Sequence, residues 1–382
     1  MSNKYAIKTL HNISDISESD WNNCLEDDHP FVQHQFLKAL EDSGSVSAET
    51  GWMPYHLILQ EEDRTVGVAP LYIKGHSQGE YVFDHSWAHA YEQAGGKYYP
   101  KVQLSVPFSP VTGPRFLTPA GPEQTIRKSL LARGAKEVAV KLGLSSVHIT
   151  FHEKDDASLM EENGYLLRTG EQFHWVNDGY KDFDDFLSKL SSRKRKAIKK
   201  ERREANNPEL EFEVLQASDI TEEHWDAFFH FYMDTGSRKW GTPYLTREFF
   251  NQIGKNLGDS IVLFMIKRAD RYIAAALNFK SNDCLYGRYW GCIEDHRFLH
   301  FETCYYRAID YAISHGIKRV EAGAQGPHKL ARGYLPTKTY SAHWMQDPGF
   351  QDAIAEFLNA ETREMNAEIQ YLSEHSPFKK SK

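Results

Sequence analysis

YHLILQEEDRTVGVAPLYIK (residues 55–74) and IVLFMIKRADRYIAAALNFK (residues 261–280) share one design: an apolar run, a polar turn and a second apolar run. Each predicts a hairpin of two adjacent strands. Leu71 and Lys74 of the first align with Leu277 and Lys280 of the second at a constant offset. An aromatic segment follows each hairpin, YVFDHSW at 81–87 and CLYGRYW at 284–290, and predicts a third strand. Helical patterns then run over 124–142 and 301–315, the second with Phe301, Tyr305, Ala308, Ile309 and Ala312 on one stripe. Gly143 and Gly316 are placed to end these helices in the left-handed conformation, and strands are predicted at 146–151 and 318–322. Further helical patterns precede the hairpins, at 32–41 in the first half and at 222–234 and 246–256 in the second. Helices, antiparallel strands, helix, strand: the order occurs twice and predicts an α/β chain of two related lobes, 1–177 and 178–382, each a mixed sheet flanked by helices. A long closing helix is expected over 350–372.

A chain of 382 residues is long enough for two cores. No apolar run reaches membrane-spanning length, and the N-terminus lacks the apolar core of a signal peptide, so a cytoplasmic protein without membrane insertion is expected. Cys24, Cys284, Cys292 and Cys304 show no paired spacing and read as free thiols. The net charge of −8 argues against a general nucleic-acid binder. Yet Arg193, Lys194, Arg195, Lys196, Lys199, Lys200, Arg202 and Arg203 fall within eleven positions whose one acid is Glu201, a local net of +7. This basic helical segment, 191–205, is either a solvated linker or a phosphate-binding face.

The segments 29–44 (HPFVQHQFLKALEDSG), 106–115 (VPFSPVTGPR), 191–203 (SSRKRKAIKKERR) and 326–344 (GPHKLARGYLPTKTYSAHW) resemble a bacterial family of peptidoglycan biosynthesis/recognition proteins. The doubled lobe with a basic helix opening its second half resembles the FemAB-like branch of the GNAT acyltransferase superfamily. The resemblance implies two tandem GNAT-like lobes and transfer of an acyl or aminoacyl group to an amine, with a small-molecule or cell-wall precursor as acceptor. It implies no tightly bound cofactor and an acyl donor that is either aminoacyl-tRNA or acyl-CoA, which makes tRNA a candidate partner. The glycine-rich turn by which GNAT enzymes hold coenzyme A corresponds here to GCIEDHRFLHFE (291–302), with one glycine and three acids. The first-lobe loop sets Gly113 between Pro110 and Pro114, and proline removes the N–H donors a phosphate cradle requires.

The segment EAGAQGPHKLAR (321–332) follows the last predicted strand of the second lobe, where ligands of open α/β sheets tend to sit. His328 is a candidate base for the attacking amine, and Lys329 and Arg332 are candidate partners for an oxyanion, carboxylate or phosphate. Glu302, in the first turn of its helix, is a second candidate base, although the helix dipole alone favours an acid there. Asp84 and His85 in the first lobe are candidate substrate ligands, as is Arg115 in its Pro-rich loop. His85 and His89 stand four apart beside Asp84, but no glutamate motif completes a set of ligands, and no metal is assigned. An acyltransferase, a binding protein that kept the fold without catalysis, and an RNA-binding module all remain open, and a monomer is plausible for each.

Overall fold

The computed structural model describes residues 4–239, 243–323 and 326–379. Two compact units result, Met1–Gly170 with Lys338–Ala367, and Glu171–Thr337 with Glu368–Lys382.

Unit 1 contains β1 (Tyr5–Leu10), α1 (His34–Asp42), β2 (Trp52–Pro54), β3 (His56–Glu61), β4 (Arg64–Ala69), β5 (Leu71–Lys74), α2 (His85–Gln93), β6 (Lys101–Leu104), α3 (Gln124–Leu142) and β7 (Ser146–His152). β3 and β4 form the predicted hairpin. The apolar run after the turn does not stay in one sheet. Pro70, which has no N–H to give a ladder, separates β4, paired with β3, from β5, paired with β2 and β6. Residues 81–87 are not a strand. Tyr81 takes φ +61°, and α2 begins at His85. The third strand is β6, reached only after an excursion over residues 75–100.

Register gives the main sheet of unit 1 two unlike faces. Leu71 opposes Leu104, Ile73 opposes Val102, and Val102 and Leu104 lie beside Val147 and Ile149. All six pack with Leu131, Ala135, Val138 and Ala139 of α3 in one buried core. Because side chains alternate across a strand, Tyr72, Lys74, Lys101, Gln103 and His148 share the opposite face.

After β8 (Leu166–Val176) come α4 (Ser192–Ala205), β9 (Leu210–Gln216), α5 (Glu222–Lys239), α6 (Arg247–Asn256), β10 (Ile261–Arg268), β11 (Arg271–Lys280) and β12 (Cys284–Cys292). A helix over 299–314, α7, leads to β13 (Arg319–Glu321), β14 (Leu335–Met345) and α8 (Pro348–Glu374). In unit 1 the sequence of pairings is β5 antiparallel to β6, β6 parallel to β7, and β7 antiparallel to β14. In unit 2 it is β11 antiparallel to β12, β12 parallel to β13, and β13 antiparallel to β8. The repeat seen in the sequence is thus a repeat of topology, with a parallel pair joined through a helix in each unit. The fourth strand differs in origin: β14, near the end of the chain, serves the unit 1 sheet, and the end of β8 serves unit 2. The expected division at 177/178 therefore gives way to units that interleave along the chain. Gly143 (φ +64°) and Gly316 (φ +68°) stand in the left-handed region, where glycine avoids the Cβ penalty.

Candidate active site

The candidate site of unit 2 lies where the parallel pair β12/β13 separates. β12 and β13 are paired over three positions, ending at Tyr286 and Glu321. β12 continues to Cys292, and its edge toward β13 carries no further strand among the described residues. A bulge sits at this point: Leu277 pairs with Tyr289 and Asn278 with Gly287, which leaves Arg288 as the extra residue. Bulges re-aim side chains. Here the guanidinium of Arg288 reaches the buried carboxylate of Glu321 at 3.3 Å.

Lys329 enters the same opening. It is 3% exposed, its Nζ donates to the carbonyl of Gly323 at 3.0 Å, and it has no carboxylate partner among the described residues. Burial, reinforced by the charge of Arg288, lowers its ammonium to about 8. His328, next in the chain, is exposed, and burial of its ring edge together with Arg332 and Lys329 lowers its pKa. The imidazole is therefore neutral near pH 7. Its Nε2 lies 3.0 Å from the hydroxyl of Tyr305. With Nε2–H donating to the phenol oxygen, Nδ1 keeps the lone pair a base needs. Gly326 makes room for this ring, since a Cβ there would stand 2.5 Å from Cε1 of His328.

The helix beneath is irregular where it meets the loop. Glu302–Tyr306 is a π-helical turn between Leu299–Phe301 and Arg307–Ser314. Such turns recur at functional sites. This one presents Tyr305 to His328 and Tyr306 to Glu201, to whose carboxylate Tyr306 donates. Glu201 also receives Arg332 at 2.9 and 3.1 Å, and the Arg332 guanidinium lies 3.6 Å from the centre of the Phe301 ring. Arg332 is thus committed to Glu201 and Phe301.

Glu302 is fully buried and does not face His328. Arg202 donates to both its oxygens, at 3.0 and 3.1 Å, and Arg307 lies 3.4 Å away. Both its oxygens are occupied by guanidinium donors rather than turned to the opening, so the expectation of Glu302 as a base gives way to a structural anchor for α4. The turn into α7 carries two carboxylates, Glu294 and Asp295. Glu294 is tied to Arg268, Arg271 and His296, and Phe298 occupies a left-handed conformation with φ +63°.

The FemAB-like family, described as peptidoglycan biosynthesis/recognition, matches residues 12–380. The chain belongs to the FemAB-like family. The crystal structure of FemX is similar over 91% of this chain and 100% of its own, at 12% identity and a TM-score of 0.55. L-PGS from Bacillus licheniformis is similar over 87% of this chain and 98% of its own, at 10% identity and a TM-score of 0.52. A tandem GNAT protein from the clavulanic acid biosynthesis pathway covers 90% of this chain, with 99% of its own covered, at 10% identity and a TM-score of 0.48. No curated protein matches. At these identities the likeness is one of fold.

The other expected ligands of this FemAB-like chain are distributed differently. On α4, Ile198 and Ala205 are buried, and Arg202 turns inward with them to Glu302 and to Asp310 at 2.7 Å. Arg202 is therefore no phosphate ligand. Lys199 meets Asp184 at 2.8 Å and Lys200 meets Glu204 at 3.7 Å, both near the surface. Arg193, Lys194, Arg195, Lys196 and Arg203 have no acidic partner among the described residues, and Arg193, Lys196 and Arg203 are exposed.

In unit 1 the opening that corresponds to the β12/β13 separation is closed. Gly113 donates its N–H to the carbonyl of Phe151, and Arg115 donates to the carbonyls of Thr150, Val111, Gly113 and Pro114. Arg115 is fully buried and fastens its loop to the end of β7, so the expected anion ligand is a structural strut. Asp84 and His85 are not brought together: His85 is exposed on α2, and Asp84 is buried against Lys101 at 2.5 Å and Tyr98 at 2.7 Å. Burial alone would raise the Asp84 carboxyl, but Lys101 and His148 hold it below the ordinary range. Among the described residues no group of three or more His, Cys, Asp and Glu is arranged to hold a metal, and no helix is long and apolar enough to cross a membrane.

Arg288, Tyr305 and Glu201 escape a reading from sequence alone. Arg288 depends on a bulge, Tyr305 on a π turn, and Glu201 looks like one acid diluting a basic run. The one available signal was that Tyr305 lies on the stripe that includes Phe301, adjacent to the helix start.

The buried histidines of unit 1 give a pH prediction. His148 Nδ1 and His343 Nδ1 are 2.7 Å apart, within hydrogen-bond distance. Burial and then Lys101 lower His148 to about 3, burial and then His148 hold His343 well below its ordinary value, and burial lowers His152. These groups bind protons more readily unfolded, so stability is complete above their unfolded value of about 6.5 and is lost as pH falls below it. For His148 the slope approaches about 1.4 kcal/mol per pH unit below the unfolded value, and His343 and His152 act in the same direction. Thermal unfolding at pH 7.5 and pH 5 measures the loss, and an unchanged midpoint would contradict it.

Proposed function

We propose that this FemAB-like chain is an acyl- or aminoacyl-transferase that acylates a primary amine at the β12/β13 opening of unit 2, with a peptidoglycan-precursor amine as the acceptor. The observation that carries this reading is Lys329, a buried ammonium without a carboxylate partner among the described residues, placed beside Arg288 at the open strand edge and next to the neutral His328. An unpaired cation in a poorly hydrated opening stabilises an oxyanion far more than it would in water. His328 takes the proton from the attacking ammonium, the nitrogen bonds to the acyl carbon, and the carbonyl electrons move to an oxygen facing Lys329. Collapse of this intermediate breaks the bond to the donor oxygen or sulfur, and the departing group takes up the proton.

Aminoacyl-tRNA is the favoured donor. The five cations of α4 without an acidic partner among the described residues suit a phosphate backbone, and the turn into α7 carries the carboxylates of Glu294 and Asp295, which disfavour a pyrophosphate there. Titration of the protein with bulk tRNA and with acetyl-coenzyme A over a salt series tests the choice. Salt-sensitive tRNA binding is expected, and its log–log salt slope should shrink by about 1 for each of Arg193, Lys196 and Arg203 changed to Glu. Tight, salt-tolerant binding of acetyl-coenzyme A with no tRNA binding would overturn the donor assignment. Binding of tRNA without any transfer would favour the RNA-binding alternative.

A further inference from the structure

The face of the unit 1 sheet opposite α3 is polar, and it is buried. Tyr72 and Lys74 on β5, Lys101 and Gln103 on β6, Ser146, His148 and Thr150 on β7, and His343 on β14 are at most 1% exposed. A sheet with one core face ordinarily leaves its polar face to water, because buried polar groups are costly unless paired. Here the excursion over residues 75–100 covers it. Trp87 packs its ring edge on His343 with centroids 4.9 Å apart, Tyr98 donates to Asp84 and lies 3.3 Å from His148 Nε2, and the carbonyl of Gln78 accepts from Lys74.

The charges divide by origin. Every ionisable group named on the sheet face other than the Tyr72 phenol is a base: Lys74, Lys101, His148 and His343. Both carboxylates come from the cover. Lys101 donates to Glu80 at 2.7 Å, to Asp84 at 2.5 Å and to Ser77 at 2.8 Å. The match is incomplete. Lys74 has no carboxylate partner among the described residues, its ammonium lying 3.6 Å over the Trp52 ring, 3.2 Å from the Gln78 carbonyl and 3.4 Å from His76 Nδ1. Glu80 Oε1, Asp84 Oδ1, Tyr72 Oη, Gln103 Oε1 and His343 Nε2 have no hydrogen-bond partner among the described residues. Unpaired buried atoms favour any arrangement that pairs them.

We propose that residues 75–100 form a lid whose Glu80 and Asp84 occupy the carboxylate positions of an acidic peptide that binds this basic sheet face when the lid opens. Gly75 stands at one end of the lid, and Gly95 and Gly96 precede its return to β6. The latch is Arg168, which donates to the Phe83 carbonyl at 2.9 Å, covers the Trp87 ring and is held at 2.7 and 2.8 Å by Glu361. Burial lowers Lys74 to about 7 and raises Glu80 to about 7, so the closed state holds two groups that a ligand carboxylate and water would return toward their ordinary charge. The site lies outside the opening of unit 2 and does not depend on the transferase reading.

Hydrogen exchange of the full chain tests the lid directly. The amides of 75–100 should exchange at least about tenfold faster than those of β6 and β7, as a locally opening segment does. Arg168→Ala should speed the lid and leave the strands unchanged. With glutamyl-glutamate as the probe, Arg168→Ala should bind about tenfold more tightly than the wild type, and Lys74→Gln should lose the binding. Exchange of 75–100 only together with the strands would overturn the lid. Absence of peptide binding to an Arg168→Ala variant whose lid exchanges fast would overturn the ligand, as would equal, Lys74-dependent binding of inorganic phosphate.

Discussion

Lys329→Met is expected to lower the rate of amine acylation by about 10²–10³-fold, the effect of removing one oxyanion donor, while leaving the fold intact. Methionine fills a similar volume, and removing an ammonium that has no carboxylate partner among the described residues relieves a desolvation cost. The loss should therefore fall on turnover, with thermal unfolding unchanged or slightly raised. The pH profile gives a second readout. Lys329 acts as a cation, and burial beside Arg288 lowers it to about 8. The rate should fall as pH rises through that value. His328 sets the opposite limb, since its base form is present above its own lowered pKa. A Lys329→Met variant with wild-type turnover would remove the residue from the reaction.

Glu302→Gln carries the largest expected cost in stability. Its carboxylate is fully buried and accepts two hydrogen bonds from Arg202, with Arg307 at 3.4 Å. Removing the negative charge leaves two guanidiniums crowded around a neutral amide, and breaking a buried ion pair from one side costs about 3–5 kcal/mol. Arg202→Met should cost a similar amount, reduced because Arg202 is partly exposed. The double variant should lose less than the sum of the two, since neither partner is then left unpaired. Chemical denaturation of the three variants measures this. A near-neutral Glu302→Gln combined with abolished turnover would instead restore Glu302 as the base.

The fold was legible where the pattern is local. The run 124–142 followed by Gly143 gave α3 to the residue, and the apolar stripe from Phe301 to Ala312 gave α7. The repeated hairpins identified the duplication. Sequence pattern failed where tertiary context decides. Pro70 divides an apolar run between two sheets, the aromatic 81–87 is drawn into a turn and a helix, and β6 is too short to be seen. The candidate loop could be picked out in the sequence, and in it His328 meets Tyr305 while Lys329 meets the Gly323 carbonyl. Its partners could not be, because a bulge places Arg288 and a π turn places Tyr305. Charged residues were hardest to assign. Arg115, Arg202 and Glu302 carry the chemistry of ligands and bases, and burial alone makes them struts.

The most direct test of the central claim is single-turnover transfer from bulk aminoacyl-tRNA to a peptidoglycan-precursor peptide bearing a free primary amine, comparing wild type with Lys329→Met. Formation of the amide by the wild type, slowed about 10²-fold or more in the variant, is the predicted result. Equal rates for wild type, variant and a protein-free control would contradict an acyl-transfer site at Lys329.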